Sequence, residues 1–132
     1  MDKQNTTRPT HLAQPIELRC GVHIKNRFFK SGGAGVLMTG NVMVDHTQLG
    51  EPGNVALEDD SNLAPFRSWA EAGTVNGMQC WMQLNHPGRQ SPATINPHPW
   101  APSAGKLEGE YGKFFAEPRE LDRAQIHDIQ QR

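Results

Sequence analysis

The chain has 132 residues, with 13 Lys and Arg against 14 Asp and Glu and a formal net charge of −1. No basic stripe tracks a nucleic-acid backbone, and no run of like charge suggests a tail. Hydrophobic residues at 36%, with 13 glycines and 10 prolines, fit a turn-rich globular chain rather than a disordered or membrane-spanning one.

Residues 1–14 are polar, lack the apolar core of a signal peptide and are expected to be disordered. Residues 15–132 are expected to form one domain. Ile16-Glu17-Leu18 and Val22-His23-Ile24 alternate in polarity around Arg19-Cys20-Gly21, which predicts a small hairpin. Asn26 to Lys30, with Phe28 and Phe29, is a short strand candidate. Gly32 to Gly35 leads into Val36-Leu37-Met38-Thr39-Gly40, an apolar run without alternation that suits a strand buried on both faces in a parallel sheet. Asn41 to Asp59 lacks periodicity, contains Gly50, Pro52 and Gly53, and reads as a surface loop. The acidic Glu58-Asp59-Asp60 suits the positive end of the helix that follows.

That helix should begin near Asn62, with Pro65 in its first turn. Leu63, Phe66 and Ala70 would form one face, with Trp69 and Gly73 alongside, and Asn76-Gly77 would be the stop. Cys80 to Leu84 reads as a second buried strand. Asn85 to Pro118 is rich in proline and glycine and reads as a long irregular excursion, a length that usually carries function. Asp122 and Gln125 make a capping box, with Leu121 and Ile126 as a hydrophobic staple. Ile126 and Ile129 share a face, and the helix pattern still runs at Arg132.

The order of elements is that of an α/β fold, with one misfit. Parallel neighbours need a crossover of a dozen or more residues, yet only Ser31 to Gly35 separate Lys30 from Val36. Either those strands are antiparallel, or one is not a strand, or a helix has been lost between them.

Most motif readings are bland. Lys30 to Gly35 looks like a phosphate loop, but its glycines lead into a strand and not into a helix whose N–H groups could face an anion. The six histidines show no ligand spacing, Cys20 and Cys80 belong to no C-x-x-C pattern, and no metal site is expected. With two isolated cysteines and no leader, a cytoplasmic location is expected. Gln83 is more telling, because it ends an apolar strand. Its amide either bonds a neighbouring strand or meets a ligand with adjacent donor and acceptor atoms at the strand's C-terminal mouth, where α/β sheets and barrels bind ligands. The pyrimidine end of a flavin has such a pattern.

Leu18-Arg19-Cys20-Gly21-Val22-His23-Ile24-Lys25-Asn26-Arg27, Gly32 to Val44 and Gln83-Leu84-Asn85-His86-Pro87-Gly88-Arg89 together resemble the Old Yellow Enzyme, or NADH:flavin oxidoreductase, family. Ala101-Pro102-Ser103 and Pro118-Arg119-Glu120-Leu121 extend the match in family order from about Ile16 to Arg132. The resemblance implies part of a TIM (β/α)8 barrel, about its first three strands, with the first crossover helix missing between Ser31 and Gly32. It implies FMN as cofactor, touched by the Ser31 backbone, lying over Gly40 and bonded at its pyrimidine edge by Gln83. His86 and Arg89 would sit on the adjoining loop, beside the site or serving the loop's structure.

The family passes hydride from NAD(P)H through the flavin to an activated alkene, a small-molecule substrate. Its carbonyl-binding residues and proton donor are expected beyond Arg132, so no catalytic residue is assigned within this chain. The implied product is a fragment inactive by itself, prone to self-association through open sheet edges. The alternative is a non-catalytic interaction module that completes its sheet with a partner.

Overall fold

The structure, a computed structural model, describes residues 13–27, 34–59 and 61–132. Ser31, and with it the proposed backbone contact to a flavin, lies outside the described residues, as do Phe28 to Lys30 of the second strand candidate. The chain divides into two compact units, one running to Thr39 and resuming over Asn62–Trp81, the other comprising Gly40–Ser61 and Met82–Arg132.

The first unit opens with the expected hairpin. Strands β1 (Ile16–Glu17) and β2 (His23–Ile24) pair antiparallel, Ile16 opposite Ile24. Leu18 N–H donates to Val22 O at 2.9 Å, and Gly21 closes the turn with a φ of 82°. A residue without a Cβ takes that angle at little cost. Strand β3 (Val36–Met43) begins in this unit with Val36 buried.

Helix α1 (Leu63–Gly73) starts where capping chemistry places it. The Asn62 side chain accepts from Ala64 N–H at 3.1 Å, and Pro65 sits in the first turn. Its packed stripe is Phe66, Trp69 and Gly73, whereas Leu63 and Ala70 of the expected face are exposed. The cause is a close approach at the helix end. A Cβ on Gly73 would lie 2.6 Å from Cys80 Sγ, so the helix turns its glycine toward the strand. The helix also stops three residues before the expected signal. Thr74 caps it, and Asn76 (φ 60°) and Gly77 (φ 72°) form a separate turn that leads into strand β5.

Strand β4 (Val55–Ala56) is a correction to the sequence reading, which took Asn41 to Asp59 as loop. It pairs parallel with β3 in the second unit, Val42 opposite Val55 and Met43 opposite Ala56. Val42 and Met43 are both fully buried. The segment between β3 and β4 is held by side chains that mimic backbone turns: Asp45 accepts from the N–H and hydroxyl of Thr47, and Asn54 accepts from the N–H groups of Gly50 and Glu51.

Strand β5 (Gln79–Asn85) runs beside β3 in the same direction. At the start Gln79 N–H donates to Gly35 O, and at the end Val44 N–H donates to Asn85 O, at 2.9 and 3.1 Å. The strand order is β4-β3-β5, an open sheet with β5 at one edge. The expectation that β5 is buried fails, since Met82 is 37% and Leu84 58% exposed. An edge strand with an uncovered face reads as apolar in sequence exactly as a buried one does, so periodicity could not separate them.

The excursion from Asn85 to Pro118 is pinned rather than irregular. Strand β6 (Trp100–Ala101) pairs parallel with β7 (Arg119–Glu120), and Pro92 bridges Phe115. Two buried polar side chains tie it to the segment after β3. Ser91 Oγ donates to Leu49 O at 2.6 Å, and Gln48 Oε1 accepts from Trp100 N–H at 2.9 Å and Asn96 Nδ2 at 3.2 Å. Helix α2 (Arg123–Gln131) carries the expected capping box, Asp122 accepting from Gln125 N–H while the Gln125 side chain accepts from Asp122 N–H. Among the described residues no helix is long and apolar enough to cross a membrane.

Gln48 is only 3% exposed, and replacing its amide leaves the Trp100 N–H without an acceptor. Gln48→Leu is expected to lower unfolding stability by about 1–3 kcal/mol, the cost of an orphaned buried donor. Urea titration monitored by tryptophan fluorescence measures it, and an unchanged midpoint would show that the excursion is held elsewhere.

Candidate functional site

The C-terminal halves of β3 and β5 lie in the second unit and carry the residues singled out from sequence. Gly40 and Asn41 stand on β3, and Gln83 stands on β5. A polar cleft of about 290 Å³ opens there, lined by Asn41, Gln83, Asn85 and His86 with Gly50, Glu51, Pro87 and Gln90. Gln83 is exposed rather than buried. Its Nε2 donates to Asn41 Oδ1 at 2.6 Å, which is the neighbouring-strand bond that the sequence left open.

Gly40 is not a packing glycine. A Cβ built on it meets nothing within 4 Å, and its φ lies outside the left-handed region. Glycine in a strand interior costs entropy and forfeits side-chain packing. Among the described residues neither the turn geometry nor a neighbouring atom requires it, and the open space beside it suits a flat group approaching the backbone closely.

Beyond β5 the chain turns through Gly88–Gln90, and His86 directs the turn. Gly88 N–H donates to His86 Nδ1 at 3.2 Å, so the imidazole accepts at Nδ1 and carries its proton on Nε2. Nε2 is buried and has no hydrogen-bond partner among the described residues. It borders a second cavity of about 200 Å³ shared with Asp45, Trp100, Gln125, Asp128 and Arg132. Arg89, by contrast, is exposed and lines neither cavity. The structure thus brings Gln83 and His86 to one cleft and leaves Arg89 outside it.

The charges around the second cavity form a network that the sequence did not reveal. Arg132 pairs with Asp45 at 3.1 Å, Glu58 at 3.5 Å and Asp128 at 2.8 Å, and His46 Nδ1 meets Glu58 at 2.7 Å. Asp45, His46 and Glu58 each bring a potential ligand atom within 4.8 Å of the others, and the Arg132 guanidinium pairs with both carboxylates. Burial acts to raise the Asp45 carboxyl, while hydrogen bonds from Thr47 and the charge of Arg132 outweigh it and hold the group below its usual 3.8. Burial lowers His86 below its usual 6.5, opposed by the Asp45 charge and reinforced by Arg132.

Because His86 is harder to protonate folded than unfolded, its contribution to stability is complete above about pH 6.5 and is lost as pH falls through its lower folded value. The Asp45 contribution is lost only on acidification below about 3.8. The thermal midpoint is therefore expected to fall between pH 7 and pH 5, and His86→Gln is expected to flatten that fall. Parallel slopes for the two proteins in calorimetry would remove His86 as the cause.

No family model matches the chain. It is 31% identical to the NADH-dependent flavin oxidoreductase iliE of Hypocrea jecorina, covering 92% of this chain and 41% of that protein. It is 34% identical to the NADH-dependent flavin oxidoreductase iccE of Talaromyces variabilis, covering 62% of this chain and 27% of the relative. The chain therefore spans less than half the length of these curated relatives. The alignment with iliE extends over 164 positions against 132 residues here, so at least 32 positions of the alignment face a gap in this chain.

Among solved structures, morphinone reductase superimposes with a TM-score of 0.75 at 22% identity, over 91% of this chain and 42% of its own. The Old Yellow Enzyme homologue from Zymomonas mobilis gives 0.75 at 20% identity, over 91% and 42%. A 2-naphthoyl-CoA reductase gives 0.78 at 18%, over 92% and 24%. In sequence the chain resembles NADH-dependent flavin oxidoreductases, and its fold is an open part of the TIM barrel of the Old Yellow Enzyme homologues rather than a closed barrel.

Proposed function

We propose that the cleft between the ends of β3 and β5 is the seat for one edge of an FMN isoalloxazine ring in an ene-reductase-like, NAD(P)H-dependent oxidoreductase. The observation that carries this reading is Gly40, a strand glycine beside which a Cβ would meet no atom of the described residues within 4 Å. The amide of Gln83 stands across the sheet on β5, where a donor and an acceptor side by side suit the pyrimidine edge. These residues fit the group, and they supply binding and orientation only. When bound, the flavin supplies the hydride chemistry, between NAD(P)H and an activated alkene.

The same reading holds that these 132 residues do not catalyse alone. The family's carbonyl-binding residues and proton donor are not among the residues assigned here, and the chain covers 41% of iliE. A barrel closes only when each strand finds two neighbours. Among the described residues β5 is an edge strand, and Met82 and Leu84 on it are exposed. That edge favours association of the isolated chain, by the general tendency of open edges to recruit strands, and it is the specific support for the second reading, an interaction module that completes its sheet with a partner.

Two measurements separate these readings. The purified chain is expected to take up FMN weakly, read by titration of the flavin absorbance near roughly 450 nm, the cofactor's own chromophore. Gly40→Val is expected to keep or slightly raise stability, since its Cβ enters open space and valine favours strands, while flavin uptake falls at least about tenfold, on the order of 1.4 kcal/mol. A Gly40→Val protein that binds FMN as well as the parent would remove the ring from this strand. A compact dimer without any flavin affinity in size-exclusion chromatography would favour the interaction module.

A further inference from the structure

The turn that carries the chain from α1 into β5 holds an asparagine followed by a glycine. Both are exposed, and both have positive φ, 60° at Asn76 and 72° at Gly77. Asparagine and glycine take such angles more readily than other residues, so the pair serves the turn. The same pair sets a side-chain amide carbon beside the backbone nitrogen that follows it. Gly77 leaves that nitrogen unhindered, because it has no Cβ and one added there would meet nothing within 4 Å.

The proton on the Gly77 nitrogen limits any attack on that amide carbon. An amide nitrogen is a nucleophile only as its anion, and the anion shares its charge with the carbonyl oxygen of the same peptide, which is Asn76 O. A cation stands at that oxygen. Lys25, directly after β2 and 51 positions earlier in the chain, donates from Nζ to Asn76 O at 3.2 Å. A positive charge hydrogen-bonded where negative charge collects favours the ionised form, as a preorganised donor favours a developing oxyanion.

We propose that Asn76 is a site of spontaneous deamidation and that Lys25 promotes it. Hydroxide removes the Gly77 N–H proton and the nitrogen bonds to Asn76 Cγ. The Cγ–Nδ2 bond then breaks as a succinimide ring closes, and the departing nitrogen takes a proton from water and leaves as ammonia. One water opens the ring at either carbonyl, giving aspartate or isoaspartate, with no oxidant or reductant involved. Both products carry a new carboxylate, and isoaspartate also lengthens the main chain by one carbon atom. The change falls just before Gln79, whose N–H donates to Gly35 O at 2.9 Å and whose side chain donates to His23 O at 3.3 Å. Modification therefore acts where β5 enters the sheet, and it is independent of any flavin.

The test incubates the purified chain at mildly alkaline pH, folded and in urea, and follows the conversion of Asn76 to its acid by peptide mass spectrometry. Lys25→Met and Lys25→Gln each remove the cation, whereas Lys25→Arg keeps one. Circular dichroism reports which variants fold, and either charge-removing variant suffices. When folded, these two are expected to convert about threefold more slowly than the parent, the scale of one solvent-exposed charge contact. Lys25→Arg is expected to stay near the parent rate. In urea, where the contact is lost, all four chains are expected to convert alike. An Asn76 that remains an amide in the folded parent, or a folded charge-removing variant that converts at the parent rate, would overturn the proposal. A slowing that persists in urea would overturn it too, because the contact with Asn76 O could not be the cause.

Discussion

Hydrogen bonding along both edges of β3 is the constraint on which the candidate site depends. β4 pairs with one side of the strand and β5 lies along the other. Held that way, β3 has a defined register, with the fully buried Val42 opposite Val55 and Met43 opposite Ala56. The same pairing fixes Gly40 and Asn41 against the end of β5, which places the Gln83 amide within bonding distance of a residue 42 positions earlier in the chain. Neither amide would define a site by itself. Their juxtaposition follows from the register of the sheet.

Around that strand end the second unit is organised by polar groups. Gln48 and Ser91 are buried and satisfied, and each joins the loop after β3 to the excursion after β5. Arg132 gathers Asp45, Glu58 and Asp128. Partly buried ion pairs contribute modest net stability, because desolvation offsets much of the attraction, but they define geometry well. Here they tie the end of α2 to the strand end that carries the cleft. His86 sits between the two systems, bordering the cleft on one side and the ionic cavity on the other.

The place of β5 at the edge of the described sheet is the other consequence of this architecture. A three-stranded piece of barrel can bury the middle strand and not the outer ones, and the exposure of Met82 and Leu84 records that limit. In the first unit the counterpart is a cavity of about 310 Å³ lined by Ile16, Leu18, Ile24, Val36 and Trp81, apolar for the most part. Ile16, Leu18 and Ile24 among its walls are apolar residues of the alternating hairpin.

Local chemistry was legible in the sequence wherever a few adjacent residues decide the outcome. The hairpin turn at Gly21, the Asn62 and Asp122 caps, and the reciprocal bonds of Gln125 all appear where side-chain type and spacing place them. The family resemblance, carried by the runs around Gly40 and Gln83, also survived comparison with known proteins. What the sequence could not show depends on distant partners. The two-residue strand β4 exists because Val42 and Met43 are available to pair with it. The rotation of α1 is set by Gly73 meeting Cys80, the exposure of β5 by its place at the edge, and the gathering of Asp45, Glu58 and Asp128 by Arg132. The sequence by itself determined the caps, the turns and the family resemblance; only the tertiary structure decided which apolar residues are buried and that Asn41 meets Gln83. Hydrophobic pattern and propensity act over a few residues, whereas strand order and register bring together groups tens of residues apart.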